Sequence, residues 1–564
     1  MVVEKMTGAK AVVQTLKSYK VKYFFGIPGS TEPIYSEIAK IMPEMLPILP
    51  RDEKSGAHMA DGYARISYKP GVCTGCQGPG TTNLVSGIAE AYLSSTPVIA
   101  ITAARSTAVI DKNAYQELDH YTLLKPITKW SFRLGRADRI PEMLRKAFRI
   151  ATSGRPGPVQ VDIHADAISG EAEVDVSADE EFAYYPSLRA APDPSKVKEA
   201  ADLLMKAERP IMIAGGGAVM SQTWTEVAEL ADLLGIPVAT TLSGKGIIPE
   251  NHPLAVGVVG SYCRRCANKV VQAADLVLFI GCKTGANSTD NWTKPPLNTR
   301  IIHIDVDPTE ICRNYRTELG IVADARIALR ELLAVLKTKI QKASTAKSSR
   351  LREIQIIVKE WRDAIASARV SEDTPVKPQR IIKELQDFLA KDDIIVADTG
   401  YSSVWTGAHF DCKVGGRTYI NASGTLGFGF PASIGAKLAA PDKKVVCFIG
   451  DGGFGYHVGE LETALRHEVP VVVVIMNNMS LNFEKQYMKF YGMNFAGVPD
   501  FLDVDFGKVA EAFGCFGARV ERPGEIRDAL RNAFESGKPG VLDIVTDPEV
   551  VPPVTFFDKY AVGY

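Results

Sequence analysis

Short apolar runs, each closed by glycine, proline or a polar residue, alternate with amphipathic stretches along almost the whole chain. Runs such as 22–25, 98–102, 210–214, 276–280, 301–304, 394–397, 445–449 and 471–476 are apolar on both faces, and the segments between them carry apolar residues at helical spacing. A strand buried on both faces needs cover on both, and crossover helices supply it for parallel neighbours. The pattern predicts βαβ units and an α/β class of doubly wound parallel sheets, and it excludes helical bundles and antiparallel sandwiches.

At 564 residues the chain is long enough for about three such domains. Periodicity lapses at 184–195 and again at 339–349, and Pro375 opens a new block, so domains are expected at 1–185, 190–340 and 370–550. The tail, 551–564, is rich in proline and aromatic residues and is expected to pack across another surface. Lys+Arg 65 against Asp+Glu 66, with no basic block, argues against nucleic acid or a membrane surface as partner. No apolar run approaches the ~18–20 residues of a membrane helix. The N-terminus lacks a secretory pattern, and nine cysteines are no disulfide scaffold, so a cytoplasmic setting and a small-molecule partner are expected.

The strongest motif lies in the last domain, where the run 445–449 leads into Gly450-Asp451-Gly452-Gly453. A helix-period segment, 457–467, and a second apolar run follow, ending at Asn477-Asn478. Gly-Asp-Gly-Gly alone reads as a tight turn. The 24 residues between Gly452 and Asn477, in a strand–helix–strand pattern, put both polar clusters at the carboxyl ends of parallel strands, where open α/β sheets bind ligands. A carboxylate, an amide carbonyl and glycine amides suit a divalent ion holding a diphosphate.

These residues resemble the thiamine diphosphate (ThDP) motif of the acetolactate synthase, pyruvate oxidase and benzoylformate decarboxylase superfamily, and the resemblance extends over nearly the whole chain. It implies pyrimidine-binding, central and diphosphate-binding domains in that order. It also implies Mg²⁺ held by Asp451, Asn478 and the main-chain carbonyl of Ser480, with Gly452 and Gly453 against the diphosphate. Asp398-Thr399-Gly400-Tyr401-Ser402 resembles the first diphosphate loop; 421–431 resembles the segment under the aminopyrimidine, with the Gly424 carbonyl as acceptor and Leu426 as the wedge beneath the cofactor. Glu53, at the head of a helical stretch, matches the glutamate that protonates the aminopyrimidine. Ser30, Cys76 and Gln116 match positions that line the substrate site in family members.

In the central domain, Ile213-Ala-Gly-Gly-Gly217 and Asp305-Val-Asp-Pro308 resemble the part that carries FAD in some members, but the arginine expected near Lys283 is absent, which leaves FAD open. The pairs Cys73/Cys76 and Cys263/Cys266 fall in different domains and read as separate thiols rather than a zinc site. His58 reads as a packing residue.

The resemblance implies attack on a 2-oxo acid or ketone, with active sites between the subunits of a homodimer or homotetramer. Members differ in what becomes of the unit left on the cofactor: transfer to a second carbonyl, protonation, or oxidation. An acetolactate synthase-like carboligase and a lyase (a 2-oxo acid decarboxylase or diketone hydrolase) both stay open. Asn482, Phe483, Glu484 and Tyr487 stand where acceptor choice is set, and they depart from the acetolactate synthase pattern.

Overall fold

A computed structural model of the chain describes residues 3–340 and 346–555. Three six-stranded sheets carry the fold, and within each every neighbouring pair is parallel. Across the first sheet the strands run Leu46–Ile48, Tyr23–Gly26, Gly71–Gly75, Val98–Ala104, Val159–His164 and Trp130–Leu134. Across the last they run Tyr419–Asn421, Ile394–Ala397, Val445–Gly450, Val472–Asn477, Gly540–Val545 and Phe516–Val520. Numbered along the chain within each sheet, both orders read 2-1-3-4-6-5. The middle sheet runs Ala255–Val258, Val238–Thr240, Pro210–Ala214, Leu276–Ile280, Arg300–Asp305 and Leu319–Val322, which reads 3-2-1-4-5-6, the dinucleotide-binding order.

These orders fix where ligands go. Each sheet has a switch point, where crossovers leave in opposite directions and a crevice opens at the carboxyl ends. In the first sheet it lies between Tyr23–Gly26 and Gly71–Gly75, in the middle sheet between Pro210–Ala214 and Leu276–Ile280, and in the last between Ile394–Ala397 and Val445–Gly450. The glycine-bearing loops at 26–30, 76–80, 215–217, 281–283, 398–402 and 450–453 all follow those strands directly.

The first and last domains share one apolar core, in which Met59, Ala60 and Tyr63 pack against Phe428, Phe430 and Ala432. Helix Glu53–Ser67 lies along helix Gly429–Ala439. Gly435 permits this approach, because a Cβ there would overlap the backbone of Met59. The crossover after Val445–Gly450 is two short helices, Asp451–Gly455 and Glu460–Arg466, rather than the single one its periodicity predicts. Four glycines between 452 and 459 lower helix propensity enough to break it.

Buried groups of the middle domain hold the last: Arg264 reaches Asp411 at 2.7 Å, and Glu250, which pairs with Lys245 at 2.5 Å and Arg264 at 3.3 Å, accepts from the Cys412 amide at 2.7 Å. The start of the tail crosses the middle domain, where Val554 is buried opposite Tyr262 and the Thr555 amide donates to the Ser261 carbonyl. The remainder of the predicted tail contact, 556–564, lies outside the described residues. Among the described residues, no helix is long and apolar enough to cross a membrane.

Candidate active site

In the last domain, Asp451 and the pair Asn478 and Ser480 face one another from the ends of two adjacent parallel strands. Asp451 is buried, and burial pushes its carboxyl up to about 7; nearby backbone amides pull it down and the Asp543 charge pushes it further up. A buried carboxylate without a basic partner is one that a divalent cation would hold ionised. The Ser480 hydroxyl donates to Asn478 Oδ1 at 3.1 Å, and Met479 between them takes a left-handed φ of 58°. The side-chain oxygens of Asp451 and Asn478 and the Ser480 carbonyl make a hard donor set that fits Mg²⁺.

Thr399 to Ser402 lead into helix Tyr401–His409, whose first amides are free of intrahelical partners and suited to anionic oxygens. Gly400, with φ 69°, makes the turn into it. Asp398 joins the loops, although no motif role had been read for it. Its carboxylate accepts from the amides of Gly427 and Gly429, each at 3.0 Å, and lies so close to Gly453 that no side chain fits there. Gly424 and Leu426 sit at the open end of the segment Asp398 grips, Gly424 exposed and Leu426 half-buried.

The first domain holds a second cluster. Glu53 is buried at the start of its helix, capped by Asp52, whose carboxylate accepts from the Lys54 amide at 2.7 Å. Asn83 Nδ2 donates to Glu53 Oε2 at 3.0 Å, and Gly80 passes so close to Oε1 that a side chain there would collide with it. Cys76 lies between Ser30, 3.9 Å from its sulfur, and Gln116, whose Oε1 is 3.8 Å away. Ser30 and Gln116 both hold left-handed φ values, 59° and 60°, a strain often found where side chains must be aimed. His120 pins the loop beneath: its Nε2 accepts from the Gly78 amide at 2.7 Å, so Nδ1 carries the proton shared with Asp162 at 3.1 Å. The four predicted catalytic residues thus meet at one switch point.

Among the described residues, no hydrogen bond or ion pair joins Glu53, Ser30, Cys76 or Gln116 to Asp451, Asn478, Ser480 or the loop 399–402. The first and last domains meet beside both clusters, where the Arg51 amide donates to Glu460 at 3.0 Å and Ser55 Oγ lies 2.8 Å from His457 Nδ1, and a buried latch joins them further along. Glu90 accepts from the amides of Ser423 at 2.6 Å and Thr425 at 3.2 Å, and Arg65 bridges Asp61, Glu90 and the Asn421 carbonyl. Neither Glu90 nor Arg65 carries a motif signal, because their partners are distant backbone groups.

A cavity of about 680 Å³ opens at the carboxyl ends of the middle sheet. Gly217 and Gly281 meet there backbone to backbone, and Asp305, pushed up to about 6 by burial, closes one side. Arg155, from the first domain, also lines the cavity and pairs with Glu310 at 3.0 Å. The cavity reaches Thr399, Gly400 and Gly424, so it continues into the diphosphate half-site.

Other singled-out residues take different places. Asn482 turns away, donating to the Pro548 carbonyl at 3.0 Å, and Phe483 packs on the rings of Tyr401 and Tyr262. Glu484 is exposed and Tyr487 packs on Tyr491. Cys73, Cys263 and Cys266 are buried, Cys76 half-buried, and all four are free thiols; no group of three or more metal-binding side chains occurs among the described residues. His58 is buried edge-on to Phe428, with its ring pushed down to about 3 by burial.

Three parallel α/β domains, with glycine loops at their switch points and a hard-oxygen donor set beside a helix start, define a diphosphate cofactor enzyme. Family models agree domain by domain: the thiamine pyrophosphate enzyme N-terminal TPP binding domain matches 6–123, the central domain 197–332, and the C-terminal TPP binding domain 398–544. Similar proteins include the probable acetolactate synthase large subunit of Methanococcus aeolicus, 38% identical over 97% of this chain and 94% of that protein. That of Methanocaldococcus jannaschii is 39% identical over 97% and 93%, and acetolactate synthase isozyme 3 large subunit of Escherichia coli (strain K12) is 32% identical over 94% and 93%. The chain belongs to the thiamine diphosphate-dependent enzyme family.

Proposed function

We propose that this protein is a ThDP- and Mg²⁺-dependent carboligase that joins 2-oxo acids in the manner of an acetolactate synthase. The observation that carries this reading is the likeness to acetolactate synthase large subunits over almost the entire chain, with the hard-oxygen set at Asp451, Asn478 and Ser480 in support. In this reading Asp451, Asn478 and Ser480 hold Mg²⁺, Thr399, Gly400, Tyr401, Ser402, Gly452 and Gly453 face the diphosphate, and Gly424 and Leu426 support the ring system. When bound, ThDP supplies the electron sink for breaking and making bonds at a carbonyl carbon. Glu53, oriented by the Asn83 amide that donates to its Oε2, is the carboxyl group placed to exchange a proton with the cofactor, and Gln116 orients the substrate carbonyl.

Membership of the family supports an assembly of at least two copies, in which the Glu53 cluster of one faces the Asp451 loop of the other. The middle cavity suits a dinucleotide: its strand order, glycine contact and volume fit FAD, with Arg155 as the nearby cation. Flavin absorbance in the purified protein checks this point, and a colourless protein that takes up no FAD overturns it. Ser30 and Cys76, side by side, favour the lyase as the second reading. Incubation with ThDP, Mg²⁺ and pyruvate tests the choice. Acetolactate is the expected product; acetaldehyde alone would replace the carboligase by the lyase.

A further inference from the structure

Arg105 follows strand Val98–Ala104 and lies beside Gln77, the neighbour of Cys76 in the loop that meets Ser30 and Gln116. Among the described residues no carboxylate lies within ion-pair distance of it. Glu117, which feels its charge, has its oxygens on the amides of Asp111 and Ala114 at 2.7 and 3.1 Å. The guanidinium is nevertheless held in place. Its Nε donates to the Tyr115 carbonyl at 2.6 Å, and its carbon lies 5.7 Å from the Tyr115 ring centre. With the Gln77 amide oxygen turned toward it, that oxygen lies over the face of the guanidinium, 2.8 Å from Nη2 and Nε and 3.2 Å from Nη1, while the Gln77 nitrogen donates to Ser30 Oγ at 3.2 Å. A half-buried arginine is thereby coupled through one amide to the predicted substrate site.

Such a fixed fork suits a carboxylate. A carboligase acting on 2-oxo acids meets two of them, and charge distinguishes them. The donor's carboxylate leaves as neutral CO₂, so a cation paired with it would stabilise the ground state more than the transition state and slow the reaction. The acceptor's carboxylate keeps its charge through to product, so a cation there improves binding without that cost. Resting on the carboligase reading above, we propose that Arg105 is a specificity-determining residue that binds the carboxylate of the acceptor, selecting an anionic 2-oxo acid over an aldehyde. Gln77 is the positioning residue that sets its direction.

The test uses the full-length enzyme loaded with ThDP and Mg²⁺, one 2-oxo acid donor, and two acceptors of equal length, a 2-oxo acid and the corresponding aldehyde. For Arg105→Gln the ratio of kcat/KM for the 2-oxo acid to that for the aldehyde falls about 100-fold, the scale of one charge-assisted pair. Arg105→Lys, which keeps charge but loses the fork, lowers the ratio about tenfold and carries the comparison if the Gln variant does not fold. A ratio within about twofold of wild type, whatever the absolute loss, means that Arg105 only braces the loop and overturns the inference. Wild-type ligation with an unmoved ratio overturns this inference alone. A wild-type enzyme that ligates neither acceptor overturns the carboligase reading and this inference together.

Discussion

At the scale of single residues, burial decides behaviour more than residue type does. Glu53 and Asp451 are both buried carboxyl groups, but Glu53 is oriented by the Asn83 amide, whereas Asp451 has only backbone amides around it and the Asp543 charge against it. Replacing Glu53 by Gln removes the exchangeable proton and keeps the shape, so turnover falls by about 10²–10⁴ while bound ThDP is retained. Turnover and cofactor content of the purified variant check this, and unchanged turnover would sink the assigned role. His58 gives a pH prediction. Its ring is pushed down to about 3, first by burial and then by the charges of Lys54 and Arg65, and neither nitrogen has a hydrogen-bond partner. Between about 6.5 and 3 the unfolded chain binds a proton there that the folded chain does not, so stability is lost as pH falls. Asp398, pushed up to about 7 by burial, works in the opposite sense, since the folded state holds its proton above the unfolded value and loses that stability as pH rises through 7. The informative quantity is therefore a difference. His58→Leu gains on wild type by about 2 kcal/mol between pH 7 and pH 5 in urea unfolding. A gap that does not change with pH removes the argument.

At the scale of elements, helices Glu53–Ser67 and Pro79–Ser94 each serve two purposes. One end of each carries or faces the Glu53 cluster, and the other end presents Arg65 or Glu90 to the segment 421–425. Arg65 and Glu90 are buried, and a buried charge keeps its place only when paired and hydrogen-bonded. Glu90→Ala strips Arg65 of a partner and frees the amides of Ser423 and Thr425, at a cost of about 3–5 kcal/mol. Amide exchange at these two residues should accelerate more than exchange in the middle sheet. Equal acceleration everywhere would mean general destabilisation rather than a local latch. Because Gly424 lies between the freed amides, ThDP affinity in this variant should weaken as well.

At the scale of the whole molecule, the proposed assembly pairs the Glu53 cluster of one chain with the Asp451 loop of another. Co-expressed Glu53→Gln and Asp451→Asn chains, each inactive alone, should recover about a quarter of wild-type activity, since half of randomly formed dimers are mixed and each has one intact site. No recovery in demonstrably mixed dimers would place the whole site within a single chain. How far the sequence led follows from the range of each signal. The glycine loops, Glu53, Asp451 and Asn478 were legible because strand, turn and helix start are set by neighbouring residues, and a parallel strand presents its loop at its carboxyl end. The helix after Asp451 was misjudged, since apolar spacing outweighed its glycines. Asp398 as a grip on Gly427 and Gly429, Glu90 on Ser423 and Thr425, Arg155 beside Lys283, and Arg105 beside Gln77 pair residues tens to hundreds of positions apart. By itself the sequence determined the parallel α/β class and the glycine-bearing loops that follow its strands, because both follow from local periodicity and turn chemistry. Only the tertiary structure decided strand order and the charges that line each crevice, because those depend on which distant segments share a buried volume.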